Sequence, residues 1–117
     1  MPNYIVLGSF TEQGLRDIKD SPKRTEAVTA MAKKAGATLK ETYWTLGQYD
    51  FIAVFDAPDD VAMTALNLSI GKLGNVRTET LRAFTSAELK SILGKVTLSG
   101  DSNRMSVIRI RLTFTDY

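Results

Sequence analysis

Residues 51–55 read Phe-Ile-Ala-Val-Phe, apolar at every position. A strand with that composition needs cover on both faces. Just ahead of it stands Thr45-Leu46-Gly47-Gln48-Tyr49-Asp50, and ahead of that a second strand-like run from Thr38 to Leu46. The two runs therefore read as neighbouring strands joined by a tight connection. Gly47 is suited to positive φ and Asp50 to accepting backbone N–H groups, which is turn chemistry. The imperfect alternation of residues 38–46 points to a bulge.

The flanking elements follow the same logic. Asn3–Phe10 is rich in branched and aromatic residues and reads as a first strand. Leu15–Asp20 reads as a short helical turn. Ser21-Pro22 starts a longer helix, with Ser21 as N-cap and Pro22 at the first helical position. Its apolar stripe is Ala27, Val28, Met31, Ala32 and Ala35, its last turn carries Lys33 and Lys34, and Gly36 stops it. Asp59 or Asp60 caps the next helix, whose buried face is read as Val61, Ala65, Leu68 or Ser69, and Leu73, ending at Gly74-Asn75. Val76–Phe84 is a fourth strand, and Thr85-Ser86-Ala87-Glu88 fits a capping box opening a helix to about Gly94. The fold class is α+β. The order β-α-β-β-α-β is the ferredoxin-like, split βαβ arrangement: a four-stranded antiparallel sheet, two helices on one face, and an extra C-terminal helix. The second face starts uncovered, and a homodimer stacked sheet to sheet, or a larger homo-oligomer, would cover it. Residues 1–96 form this domain. Residues 97–117 form an extension with a fifth strand near 107–114, where Ile108, Ile110, Leu112 and Phe114 alternate with Arg109, Arg111 and Thr113.

The chain contains neither cysteine nor histidine. Disulfides, thiolate metal sites, cysteine nucleophiles and a Ser-His-Asp triad are thereby excluded, and no metal site or cofactor is expected. A net charge of +2 with scattered Lys and Arg gives no footprint for nucleic acid. No apolar run reaches membrane-spanning length and the N-terminus lacks a signal-peptide pattern, so a cytoplasmic protein without a membrane partner is expected.

Three ordered blocks carry a family resemblance: "GLRDIKDSPKR", "YWTLGQYD" with its G-x-Y-D, and "LGNVRTETLRAF". Together, from about Met1 to Val96, they resemble the GYD domain family; the tail from Thr97 departs from the family pattern. The resemblance implies a ferredoxin-like domain of the dimeric α+β barrel kind. It implies no particular activity, and fold kinship with monooxygenases, isomerases and ligand-binding modules is analogy.

No residue is assigned a catalytic role. The ligand-binding candidates are Trp44, Tyr49, Asp50, Arg77 and Arg82. Turn chemistry accounts for Gly47 and Asp50 but not for the Tyr49 phenol, which can donate to a ligand or to developing negative charge. Trp44 is the sole tryptophan, an aromatic for the core, a dimer interface or the wall of a planar ligand's site. Arg77 and Glu79 share a face by alternation, with Arg82 on the opposite one. An arginine between Val76 and Thr78 on a central strand is unusual and suits a carboxylate or enolate. The expected function is small-molecule binding in a pocket between the sheets of a homodimer, with cofactor-free oxygenase or isomerase chemistry in which Asp50, Tyr49 or Glu79 moves protons. The alternative is a non-catalytic assembly module that uses the sheet face and the C-terminal strand.

Overall fold

The computed structural model describes residues 1–97; the expected strand near 107–114 lies outside the described residues. The elements are β1 (Asn3–Phe10), α1 (Glu12–Arg16), a 3-10 turn (Ile18–Asp20), α2 (Ser21–Lys34), β2 (Thr38–Trp44), β3 (Phe51–Asp56), α3 (Asp60–Gly71), β4 (Val76–Ala83) and α4 (Ser86–Gly94). Residues 1–85 form one compact unit, and α4 belongs to a second.

The four strands make one antiparallel sheet in the order β2-β3-β1-β4. The apolar β3 is interior, as its composition requires. Among the described residues β4 is an edge strand, which corrects the expectation of a central one: Arg77 extends from a strand with one described neighbour, where a charged residue is ordinary.

Alternation along β1 sends Tyr4, Val6 and Gly8 toward the helices, and register pairs them with Phe55, Ala53 and Phe51. With Ala32 of α2 and Met63, Leu66 and Ile70 of α3, these strands make the buried core. Full burial of a side chain such as Phe55 or Leu66 stabilises the fold by roughly 1.5–3 kcal/mol.

The bulge expected in β2 falls between Leu39 and Glu41. Gly47 takes the positive φ foreseen for it, +128°, and Gly36, which stops α2, also has positive φ, +78°. Asp59 caps α3, its carboxylate accepting the Ala62 N–H at 2.9 Å.

Three local expectations are corrected. Ser21 is not a cap: the preceding 3-10 turn already supplies the helix entry, and the Ser21 hydroxyl donates back to the Ile18 carbonyl at 2.6 Å. The buried stripe of α3 is Met63, Leu66 and Ile70, whereas Val61 and Leu68 are 78% and 69% exposed. The helix is apolar on most sides, so its sequence offers two stripes at helical spacing, and packing on the sheet selects one. The helix also ends at Gly71, before Gly74-Asn75.

Candidate functional site

The three sequence blocks have a common place in the fold, because all of them meet at the C-terminal end of β1. Asp50 donates its backbone N–H to the Gly8 carbonyl at 2.8 Å and accepts the Phe10 N–H through Oδ2 at 2.8 Å. Its carboxylate thus satisfies a strand-end donor on the neighbouring chain segment. The loop before it is closed by Thr45, whose N–H reaches the Asp50 carbonyl (2.9 Å) and whose hydroxyl reaches the Tyr49 carbonyl (2.6 Å).

From the other side, Thr11 donates its N–H to Asn75 and its hydroxyl to the Gly74 carbonyl. Gln13 donates to the Leu73 carbonyl and to Asn75 Oδ1. Gly14 is buried beneath this latch, and a Cβ there would stand 2.0 Å from the Asn75 carbonyl oxygen. Arg24 of α2 donates to the carbonyls of Gly14 and Asp17 at 3.0 and 2.8 Å, holding α1 and the 3-10 turn in place. Sequence reading assigned Arg24 no role. The clamp was hidden because its partners are main-chain carbonyls, which leave no side-chain signature.

Register divides the five candidate residues between the two faces of the sheet. The open face carries Ile5 and Leu7 of β1, opposite Val54 and Ile52 of β3 and Leu81 and Glu79 of β4. Tyr43 and Glu41 of β2 join it, the Tyr43 hydroxyl donating to Glu41 Oε2 at 2.6 Å. Arg77 lies on the same face, paired with Ser9. Tyr49 reaches across from its loop to donate to Glu79 Oε2 at 2.8 Å. This hydrogen bond, then burial, raises the phenol above its ordinary value, which makes Tyr49 a donor and a poor base.

Trp44 and Arg82 belong to the helix-covered face. Trp44 pairs with Phe51, whose ring covers Gly8 so closely that a Cβ there would meet it at 2.0 Å. The β2 bulge causes this placement. One extra residue after Leu39 shifts the alternation, so Thr42 and Trp44 turn toward α2 and Tyr43 turns toward the open face. Arg82 stacks over Phe84 and Tyr4, 4.3 and 5.6 Å from the ring centroids, and donates to the carbonyls of Ala83 and Asn3. Tyr4 in turn donates to Asp60 Oδ1 at 2.5 Å. The five candidates are therefore not brought to one face: Tyr49 and Arg77 stand on the open side, Trp44 and Arg82 on the helix side, and Asp50 in the latch between strands.

Sequence reading gave no notice of a cavity of about 100 Å³ between α2 and the sheet, lined by Phe10, Val28, Leu39, Trp44, Phe51 and Val76 among others. Phe10 and Phe51 meet with ring centroids 5.8 Å apart. Its walls come from α2 and from strands far apart in sequence, a combination only tertiary packing makes. No helix among the described residues is long and apolar enough to cross a membrane.

Against this architecture the likenesses to known proteins are consistent. Residues 4–93 match the GYD domain. The glutamine synthetase and cystathionine beta-lyase binding protein of Thermus thermophilus is 32% identical over 90 residues, covering 76% of this chain and 95% of that protein. The fold is similar to a feast or famine regulatory protein from M. tuberculosis complexed with L-methionine (TM-score 0.56, 17% identity, 74% of this chain and 52% of that one). It is also similar to the leucine response regulatory protein of Mycobacterium tuberculosis (TM-score 0.55, 18% identity, 73% and 51%). The chain spans about half the length of these two regulators, and at such identities the likeness is one of fold. The match across nearly the whole described domain, together with a relative 32% identical and matched over 95% of its own length, places the protein: the chain belongs to the GYD domain family.

Proposed function

We propose that this protein is a non-catalytic binding protein that pairs with a second copy through its open sheet face and, so assembled, docks onto a metabolic enzyme. The observation that carries the reading is the open face itself. Ile5, Leu7, Ile52, Val54 and Leu81 form its apolar centre, and Arg77, Glu79 and Glu41 place both charge signs at its margins. A sheet whose apolar face no helix of residues 1–85 covers gains stability by stacking on another about 10 Å away. Twofold pairing makes the surface complementary to itself, and mixed-sign margins let cations meet carboxylates across the axis. The name of the Thermus thermophilus relative supports an enzyme as the partner; glutamine synthetase and cystathionine beta-lyase are the ones to test.

The reading from sequence of an inter-sheet pocket with oxygenase or isomerase chemistry is less well supported. Tyr49 already donates to Glu79, Asp50 accepts from the main chain, and Trp44 lies on the other face.

Light scattering on the full chain tests the pairing. The wild type is expected at twice the 12.9 kDa chain mass or a higher even multiple. Leu7→Lys puts a charge at the centre of the face, where pairing would desolvate it, and is expected to yield monomers that remain folded. A monomeric wild type, or an unchanged mass in the variant, overturns the pairing. Immobilised wild-type protein is expected to retain purified glutamine synthetase or cystathionine beta-lyase; retention of neither overturns the enzyme partner.

A further inference from the structure

We propose that the cavity between α2 and the sheet binds a small neutral molecule with a ring-sized apolar body and one hydrogen-bonding group, phenol being the simplest probe. The cavity lies on the face opposite the pairing surface, so this inference does not rest on the assembly reading.

Protein interiors are close-packed, with few voids larger than a water molecule. A space of about 100 Å³ opening at α2 is therefore larger than ordinary packing leaves. It is close to the size at which apolar cavities take up a single ring; an engineered void of about 150 Å³ accepts benzene. The walls fit such an occupant: the Phe10 and Phe51 rings on one side, Val28 and Leu39 on another, and Trp44, 57% exposed, at the margin.

The polar groups select the chemistry further. Thr42 and Thr78 line the cavity from β2 and β4, half-buried, and neither hydroxyl has a hydrogen-bond partner among the described residues. Ser21 and Thr25 also line it, but their hydroxyls donate to the carbonyls of Ile18 and Ser21. The charged lining residue is Arg24, and its guanidinium already donates to Gly14 and Asp17. The site thus offers hydroxyls to a neutral polar group and holds its cation in a structural clamp, which disfavours a carboxylate occupant.

The experiment is a titration of the ¹⁵N-labelled full chain, followed by amide and indole N–H shifts. Phenol and benzene are expected to give saturable shifts at the Trp44 indole and at the Thr42 and Thr78 amides, and benzoate none. Val28→Phe fills the space from α2 and is expected to abolish saturation by both neutral probes. Thr42→Val with Thr78→Val keeps the shape and removes the hydroxyls; phenol affinity is expected to fall about three- to tenfold relative to benzene, the span of a typical net hydrogen bond. Shifts that fail to saturate, that spread away from these residues, or that persist in folded Val28→Phe overturn the proposal. So does benzoate binding as tightly as phenol. Should Val28→Phe fail to fold, the threonine variant decides, and an unchanged phenol-to-benzene ratio overturns the proposal.

Discussion

Replacement of Asp50 separates a structural role for the G-x-Y-D stretch from a ligand-binding one. In Asp50→Ala the Phe10 N–H loses the carboxylate that accepts it at 2.8 Å, while the Asp50 backbone bond to Gly8 is kept. A hydrogen bond to a charged group contributes about 1.5–3 kcal/mol. Asp50 is half-buried, so water offers the orphaned N–H partial compensation, and the lower end, about 1.5 kcal/mol, applies. For a domain of this size that corresponds to a fall in melting temperature of about 6–12 °C. Asp50→Asn keeps an oxygen in the same place and exchanges a charged acceptor for a neutral one, so about half the loss is expected. Thermal unfolding followed by circular dichroism measures both variants. If Asp50→Ala melts within about 1 °C of the wild type, the strand-end bond contributes nothing and the structural account of Asp50 fails. If Asp50→Asn is as damaging as Asp50→Ala, the effect belongs to the charge and the acceptor argument fails.

The remaining predictions concern packing and pH. Leu66→Ala opens a cavity in the core, where Leu66 is 1% exposed, and is expected to cost about 2–5 kcal/mol. Leu68→Ala on the outer side of α3 is expected to stay within about 0.5 kcal/mol; chemical denaturation of the two variants checks the helix phase, and the reverse order would refute it. Tyr4 has its ionisation raised above 10.0, first by the hydrogen bond to Asp60 and then by burial. A raised folded-state value contributes stability that is fully present below the unfolded value near 10.0 and is lost as pH climbs through the folded one. Tyr4→Phe is therefore expected to be less stable than the wild type at neutral pH, by about 1.5 kcal/mol for a bond to a part-exposed carboxylate. The gap should narrow above pH 10, and a gap that stays constant in alkaline denaturation series would show that Tyr4 ionisation is not linked to folding.

The latch brings together the three recognisable blocks, which are distant in the chain. The first supplies Gly14 and Arg24, the second Asp50, and the third the Leu73–Asn75 carbonyls and side chain that Gln13 and Thr11 bind. Each satisfies or shields main-chain groups around one strand end. The family signature read this way is a device for closing the sheet at one strand end.

The order of elements followed from the sequence because strand and helix periodicities, the Gly36 and Gly47 conformations and the Asp59 cap are local properties. So was the existence of a bulge in β2, visible as broken alternation. Tertiary structure alone decided which face each later residue took. The single extra residue after Leu39 turns Trp44 to the helix side and Tyr43 to the open side, and a one-residue shift reverses every side chain beyond it. It likewise decided that β4 lies at the edge and that α3 buries Met63, Leu66 and Ile70. An apolar helix carries several adequate stripes and an arginine-bearing strand fits more than one place in a sheet. The choice between them is made by the surface each packs against, and that surface is assembled from residues far away in the chain.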